Sequence, residues 1–343
     1  MGKVPKIRII GTASPEEKKK VKEKIRRALF EHFKSLSEEE KKMFKKFEYP
    51  KSEIELALIN FANKITNELM KEAGVEPYDI PPENYHILPP ELYKRLASDL
   101  YVAQGSRTKQ RILFNAEYFR DNPVYFGAVV FHETLHLKTP LCIKVNKKDN
   151  KTERTLYRVS VCIYHLERYP FYNKSHIHFC GLEEAIISKA EKNFLPRLLE
   201  LPELVKEKEW LMSKEAKKLK KKLAKKEGIP EEDIIWVGKK REDGWIALFY
   251  RPQIEVLNYV CSEIQQEFSG QFQTADDVFK LFLKAHFTGN LLTIKRLVEK
   301  TFGKRSFLVL GNMTTDHESG VLHLETLKVF RRDQISQKKH KKP

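Results

Sequence analysis

The sequence has little of what several large protein classes require. It contains only four cysteines in 343 residues and no CxxC pair, so neither a disulfide framework nor a paired-cysteine zinc finger is indicated. No apolar run approaches the roughly 20 residues of a membrane-spanning helix. No P-loop, GxGxxG or GxSxG motif and no internal repeat occurs. With no signal peptide recognised, these absences predict a cytoplasmic protein with reduced thiols and no membrane span.

Acidic residues are outnumbered by basic ones. Lys and Arg total 64 against 47 Asp and Glu, which gives a formal net charge of +17. Such a charge favours solubility and weak attraction to polyanions, but it does not determine the fold. Lysines are densest from Lys206 to Lys226. This segment is predicted to form one basic helix, which is either a solvated surface or a contact for phosphate backbones and anionic surfaces.

The stretch from Asn122 to Pro140 predicts the clearest helix. Asn122 is a favourable N-cap, and Pro123 suits the first helical turn. Residues 124–131 are almost wholly apolar, so this helix is expected to be buried on most of its faces. Pro140 is expected to end it, because proline disfavours the helical region for the residue before it.

This helix carries the pattern HExxH, read as His132-Glu133-Thr134-Leu135-His136. The spacing of four places both histidines on one face, where two imidazoles can share one Zn²⁺. Glu133 projects beside them and can accept a proton from a metal-activated water. The alternative interpretation is a buried helix with two histidines that belong to the core.

A catalytic zinc site needs a third protein ligand. The metzincin extension does not follow the second histidine, so a glutamate from a later helix is the alternative. The segment 181–185, Gly-Leu-Glu-Glu-Ala, starts such a helix, which is predicted over residues 182–199 with a break at Gly181. Glu183 and Glu184 are both candidate ligands. Alternatively, they form a solvated first turn, where the helix dipole favours acids.

The two motifs together resemble those of the gluzincins, the thermolysin-like clan of zinc metallopeptidases. The second motif of that family typically reads Asn-Glu-Ala or Gly-Leu-Asn-Glu, and its Glu completes the zinc site. Matched residue by residue, the ligand position falls on Glu184. Glu183 stands where the family has Asn, and Ser188 stands where it has an acidic residue one turn later. Glu183 therefore stays a second candidate for the ligand position.

The resemblance implies a zinc-dependent metallopeptidase that hydrolyses peptide bonds in peptide or protein substrates. Zn²⁺ is expected on His132, His136 and Glu184, with Glu133 as the general base. The resemblance also implies a sheet whose edge strand pairs with an extended substrate, although the sequence does not identify that strand. Four side chains between the motifs are undifferentiated candidates for stabilising the oxyanion: Tyr164, Tyr172, His176 and His178.

The predicted fold is α+β, with a small mixed or antiparallel sheet packed on the HExxH helix and a mainly helical C-terminal region. Three segments are predicted: an N-terminal strand and helices at 1–80, a zincin-like catalytic core at 81–200, and at 201–343 a mainly helical region with the basic helix and a hairpin. Further strands are predicted at 85–88, 99–103, 110–115, 307–310 and 321–330, with a turn at 104–106 and a frayed basic tail at 337–343.

A basic nucleic-acid-binding protein with a structural or vestigial metal site is the competing hypothesis. It depends on the net charge and on the segment from Lys206 to Lys226. The basic residues are interspersed with acids, and no zinc-finger, RRM, KH or homeodomain pattern is present. A third hypothesis keeps the zinc without turnover, with the residues between the two motifs covering the site.

Overall fold

A computed structural model describes residues 6–97, 102–119, 122–148, 151–168, 173–238, 244–248 and 250–340. The first part of the chain contains β1 (Ile7–Ile10), α1 (Pro15–Phe30), α2 (His32–Ser35), α3 (Glu38–Phe47), α4 (Glu53–Glu72), β2 (Tyr85–Leu88), α5 (Pro90–Leu96), β3 (Ala103–Ser106), β4 (Arg111–Asn115) and α6 (Ala116–Phe119). The middle contains α7 (Pro123–Leu137), β5 (Leu141–Lys148), β6 (Lys151–Val159), β7 (Cys162–Arg168), β8 (Asn173–His178) and α8 (Cys180–Leu198). The last part contains α9 (Val205–Met212), α10 (Lys214–Glu227), β9 (Ile234–Val237), β10 (Trp245–Ala247), α11 (Arg251–Glu267), α12 (Ala275–Thr288), α13 (Leu292–Phe302), α14 (Ser306–Asn312) and α15 (His317–His340).

The described strands form three small sheets. The largest has the order β1-β5-β6-β7-β8, with β1 parallel to β5 and every other pair antiparallel. The second has the order β2-β4-β3, with β2 parallel and β3 antiparallel to β4. The third is the hairpin of β9 and β10. The predicted α+β class, with small mixed sheets and a mainly helical C-terminal region, is confirmed.

Side-chain caps fix where several of the helices begin. Ser14, Ser37 and Ser52 each accept a hydrogen bond from the backbone N–H three residues on, and a Glu at that position bonds back to the cap. Such capping boxes satisfy two otherwise unpaired donors. At the start of α7, the Asn122 side chain accepts from Tyr125 N, as the sequence predicts.

The HExxH helix, α7, lies at the centre of the main core. It packs against α4, α8, β3 and β9, and its side chains from Val124 to Phe131 are all buried. The ring of Phe131 stacks on Phe194 of α8 with centroids 4.1 Å apart. Gly127 lets Leu198 approach, since a Cβ there would lie 3.0 Å from that side chain. The site is therefore built on two helices held together by a packed interface.

One hydrophobic core draws on all three predicted segments. Leu58 of α4, Phe126 of α7 and Val256 of α11 belong to the same buried cluster. A second, smaller cluster lies between α1 and one face of the largest sheet, and it includes Ile7, Val21 and Ile143. The division at residues 80 and 200 stays a prediction. In the part of the chain that is described, no helix has both the length and the apolar content required to cross a membrane.

The predicted turn at Gln104-Gly105-Ser106 is wrong. These residues form β3, with Gly105 opposite Ile112 of β4, and the turn follows at residues 107–110. Glycine is a common turn residue, but here it allows close approach of another side chain. Residues 98–101, on which most of the predicted 99–103 strand falls, lie outside the described residues.

The predicted break at Gly181 is also wrong. Helix α8 begins at Cys180, after Phe179 in a left-handed conformation with φ of 65°. Gly181 lies in the first turn, where a Cβ would come within 2.4 Å of Thr314 O. The glycine is explained by this close backbone contact and not by a helix end.

Three predictions for the C-terminal region need correction. The strands predicted at 307–310 and 321–330 are helices α14 and α15. Their buried positions, such as Leu327 and Arg331, recur at helical spacing, which short apolar runs do not reveal. The predicted basic helix is two helices, α9 and α10, because Ser213 caps a new one. The predicted frayed tail is helical as far as His340, and residues 341–343 lie outside the described part.

Candidate metal centre

The two histidines of HExxH and Glu184 converge. His132 and His136 are one turn apart on α7, and Glu184 is in the first turn of α8. His132 Nε2 lies 3.3 Å from Glu184 Oε2, and His136 Nε2 lies 3.4 Å from Glu184 Oε1. One ligand atom from each of the three side chains lies within 4.8 Å of the others. The side chains are 15%, 12% and 16% exposed, so the group is accessible from solvent.

Zn–N and Zn–O bonds of about 2.0–2.1 Å place tetrahedral ligand atoms roughly 3.4 Å apart. Each histidine meets a different oxygen of Glu184 at about this distance, and one ligand atom from each side chain lies within 4.8 Å of the others, so a shift of the side chains would bring all three around one zinc ion. Two imidazole nitrogens and a carboxylate are also a donor set that zinc accepts readily. Glu184 Oε2 is buried, and despite the approach of His132 Nε2 to 3.3 Å it accepts no well-formed hydrogen bond from the described residues. A poorly satisfied buried carboxylate oxygen is costly, and a bound cation would satisfy it.

Glu191 orients His132 through Nδ1, the ring nitrogen that faces away from Glu184. Its Oε2 lies 3.3 Å from His132 Nδ1, and its side chain is almost fully buried. A proton held on Nδ1 by this carboxylate leaves Nε2 free to bind a metal. Glu191 lies two turns after Glu184 on α8 and supplies the acidic partner that the family pattern would place at position 188. The sequence reasoning did not identify it.

Glu183 and Arg107 orient the second histidine. Glu183 Oε1 lies 3.4 Å from His136 Nδ1, and Arg107 Nη2 donates to the same oxygen at 2.6 Å. Arg107 Nε also donates to His136 O at 3.0 Å. The other oxygen, Glu183 Oε2, accepts from the thiol of Cys162 at 2.6 Å. Both oxygens of Glu183 are therefore occupied behind His136, and Glu184 is the glutamate that faces both Nε2 atoms.

The electrostatics favour a cation at this point. Burial alone would raise the pKa of Glu184, but the imidazoles of His136 and His132 hold that pKa far below its usual value. Burial also opposes ionisation of Glu183, yet Arg107 and His136 lower its pKa to about 2. Burial would lower the pKa of His132, but Glu184 and Glu191 raise it well above its ordinary value. The carboxylates are thus ionised at neutral pH and attract positive charge to the imidazole nitrogens.

Glu133 lies on the side of α7 that faces β3. A Cβ built on Gly105 of β3 would be 2.5 Å from Glu133 Oε2, so the missing side chain makes room for this carboxylate. β3 is an edge strand, because β4 is its one neighbour among the described strands. The structure therefore identifies the strand beside the HExxH helix, which the sequence alone did not.

Two tyrosines lie near the group. The Tyr250 ring, at the start of α11, faces His132 with centroids 6.4 Å apart. Tyr164 on β7 lies beside Arg107, and burial raises its pKa to about 12, so its hydroxyl keeps its proton at neutral pH. Among the other oxyanion candidates, Tyr172 and the His176 side chain lie outside the described part, and His178 is partly buried on β8.

Comparison of the sequence and structure with known proteins identifies no relative. The chain matches no family model, and neither the curated proteins nor the solved structures yield a match.

Proposed function

We propose that this protein is a zinc-dependent metallopeptidase of gluzincin type. One observation carries the proposal: the Nε2 atoms of His132 and His136 lie 3.3 and 3.4 Å from the two oxygens of Glu184. Each distance is close to the separation of two ligand atoms around a tetrahedral zinc ion, and one ligand atom from each side chain lies within 4.8 Å of the others. Support also comes from Glu133, which is adjacent in sequence to the first histidine and lies against the edge strand.

Zinc bound at such a site lowers the pKa of a water molecule to about 7 and polarises a carbonyl group. In the proposed reaction, Glu133 accepts the proton of the attacking water and returns it to the leaving amine. Gly105 supports this role, because a side chain at that position would displace the Glu133 carboxylate. Tyr250, whose ring faces His132, and Tyr164, which lies beside Arg107, are candidates to donate a hydrogen bond to a developing oxyanion.

Glu191 faces Nδ1 of His132, which favours a proton there and a lone pair at Nε2. Nδ1 of His136 contacts both Glu183 and Nη2 of Arg107, so this charged pair holds the second imidazole in place. Glu183 adds a second negative charge where the gluzincin pattern has a neutral Asn. Arg107 offsets it with a hydrogen bond of 2.6 Å. We therefore assign Arg107 as a positioning residue that allows a glutamate at position 183.

The proposed substrate is an extended peptide that pairs with the outer edge of β3. The inner edge of β3 is paired with β4 from Ala103 to Ser106, which leaves the other edge as the place where a further strand can add. Gly105 lies within this strand and directly beside Glu133. A peptide bound there would bring a backbone carbonyl near the proposed metal centre.

The variant Glu133→Gln tests the proposed chemistry. Hydrolysis of a mixed peptide library, followed by mass spectrometry, should fall about 10²- to 10⁴-fold, because a general base is lost. Zinc content should stay unchanged, since Glu133 is not in the ligand set. Glu318→Gln, which alters an exposed glutamate on α15, is the matched control and should retain full activity. Undiminished hydrolysis by Glu133→Gln would remove this residue from the mechanism.

Weak polyanion binding is a second and subsidiary proposal. Most lysines of α10 are exposed, while Ala216, Leu219 and Leu223 turn to the core. A one-sided lysine face of this kind attracts phosphate backbones without reading their sequence. Binding of mixed-sequence DNA should weaken steeply with added salt and should weaken further in a variant with Lys217, Lys221 and Lys225 changed to Gln. Salt-independent binding would contradict this proposal.

A further inference from the structure

A cavity of about 530 Å³ lies on the outer face of the largest sheet. The inner face of β1, β5 and β6 packs on α1 through the small core cluster. The opposite face forms the floor of the cavity, and Thr288 and Gly289 at the end of α12 form one wall. Ligand sites for small molecules commonly have volumes of 300–1,000 Å³. None of the proposed metal ligands lines this cavity, so a ligand bound there would be independent of the proposed peptidase function.

Positive charge is concentrated on the cavity floor. Arg8 of β1 pairs with Cys142 of β5, which pairs with Arg158 of β6, so two guanidinium groups flank a thiol across three adjacent strands. Lys6 is two residues before Arg8 and shares its face. None of the described residues that line the cavity is Asp or Glu. Three cations therefore face a common space without a carboxylate among them.

The guanidinium of Arg158 is held in place, but not all of its hydrogen-bond donors have partners. Its Nε donates to Ser160 O at 3.2 Å, which fixes the plane of the guanidinium. Its Nη2 is buried and has no hydrogen-bond partner among the described residues. A buried donor without a partner costs free energy, which a bound acceptor would recover once the guanidinium turns toward it. Phosphate oxygens match the paired N–H groups of a guanidinium well.

An irregularity in the sheet adds an aromatic ring at the rim of the cavity. The register shifts between Cys142 and Ile143, which pair with Arg158 and Leu156, so Tyr157 is an extra residue in β6. Such a bulge redirects side chains, and Tyr157 and Arg158 both line the cavity. The Tyr157 ring is 38% exposed. It provides a flat, accessible surface for another ring.

We propose that this cavity binds a phosphate ester that carries a planar ring, of the class of nucleoside monophosphates. Arg8, Arg158 and Lys6 bind the phosphate. The Tyr157 ring stacks on the base, and Ile10 and Pro140 supply apolar contact beside it.

Calorimetric titration with three related compounds tests the proposal. AMP has both phosphate and base, ribose 5-phosphate lacks the base, and adenosine lacks the phosphate. AMP should bind most tightly. Ribose 5-phosphate should bind about 10-fold more weakly because stacking is lost, and adenosine should give no measurable heat. Tyr157→Ala should remove the difference between AMP and ribose 5-phosphate.

Two arginines on the same strand provide a matched pair of variants. Arg158→Gln should weaken AMP binding about 10- to 100-fold, because charge-assisted hydrogen bonds to the phosphate are lost. Arg154→Gln removes the same charge four residues earlier, beside a different cavity, and should change the affinity by no more than about 2-fold. If Arg158→Gln does not fold, Arg8→Gln, whose side chain is exposed, carries the test with the same expected direction.

Three results would overturn the proposal. Absence of AMP binding at millimolar concentration would remove the site. Equal weakening by Arg154→Gln and Arg158→Gln would show attraction to the overall positive charge and not to this cavity. Adenosine binding as tightly as AMP would show that the phosphate is not recognised.

Discussion

Two clusters in this protein are each built from two histidines and a glutamate, and they differ in what lies between the side chains. In one, the Nε2 atoms of His132 and His136 stand 3.3 and 3.4 Å from Glu184. In the other, His32 Nε2 contacts His86 Nε2 at 2.7 Å, and His86 Nδ1 contacts Glu48 Oε2 at 2.8 Å. The spacing in the cluster of His132, His136 and Glu184 suits a shared metal ion. The spacing in the cluster of His32, His86 and Glu48 is that of direct hydrogen bonds.

The sequence context explains the difference. His132 and His136 come from one helix at a spacing of four, so their relative position is set by helical geometry. His32, His86 and Glu48 come from α2, β2 and the end of α3. Their contact arises from tertiary packing, with Phe44 stacked on His86 at 4.1 Å. The rings of the two pairs are about equally far apart, with centroids 4.9 and 5.0 Å apart, so the clusters differ in which nitrogens and carboxylates face one another.

The charge environments of the two clusters also differ. Burial and the neighbouring His86 lower the pKa of His32 to about 4, so that histidine is neutral at physiological pH. Burial would likewise lower the pKa of His136, but the carboxylate of Glu184 raises it above its usual value. His32 is therefore a neutral side chain in the core, whereas the carboxylates around His132 and His136 favour positive charge at those imidazoles.

The glutamates give the strongest test of this contrast and the largest expected effect. Glu184→Gln should weaken zinc binding by well over the roughly 100-fold that marks the upper range for residues behind the ligands, because a direct ligand is lost. Glu48→Gln, the same change in the other cluster, should leave zinc affinity unchanged. Competition titration with a chromophoric chelator measures both. Equal zinc affinities of the two variants would show that the clusters do not differ in this way.

A smaller effect is expected from the charge pair behind His136. Glu183→Asn should weaken zinc binding about 10- to 100-fold, since the partner of Nδ1 is changed and Arg107 is left unpaired. Adding Arg107→Met to Glu183→Asn should recover part of the lost zinc affinity, because the buried positive charge that Glu183 neutralised is then also removed. The same chelator titration gives the coupling between the two sites. If the losses in zinc-binding free energy of Glu183→Asn and Arg107→Met simply add in the double variant, Arg107 does not have this positioning role.

The third prediction concerns the pH dependence of stability in the His32 cluster. His32 has a folded-state pKa lowered to about 4, below the roughly 6.5 of an unfolded chain. The stability linked to His32 is therefore complete above about pH 6.5, and it is lost as the pH falls toward 4, by up to roughly 3 kcal/mol. Urea unfolding of His32→Gln across this range should show a flatter pH dependence than the wild type. An unchanged slope would show that His32 does not titrate as described.

The part of the site that lies within single helices was predictable, and the part that depends on packing was not. The pattern at 132–136 and the glutamate at 184 follow from helical spacing and from the family resemblance. Arg107 reaches Glu183 from 76 residues away, and Gly105 was taken for a turn residue. Glu191 is on the same helix as Glu184, but only the packing of α8 on α7 shows that it faces His132.

The fold shows the same division. The start of α7 is predicted correctly, since Asn122 and Pro123 are local signals that need no tertiary contact. The short apolar runs at 307–310 and 321–330 predict strands wrongly, because a few apolar residues fit either periodicity. Their helical form depends on the packing of α15 on α11 and of both helices on α13, which the local sequence does not contain.

The metal content of the purified protein decides whether the proposed zinc centre exists. Elemental analysis should find one zinc ion per chain in the wild type, none in His136→Ala, and one in His317→Ala, which changes an exposed histidine on α15. Protein that holds no zinc after purification without chelator, and takes up none when zinc is added, would refute the zinc centre. The HExxH histidines would then be core residues, like His32 and His86.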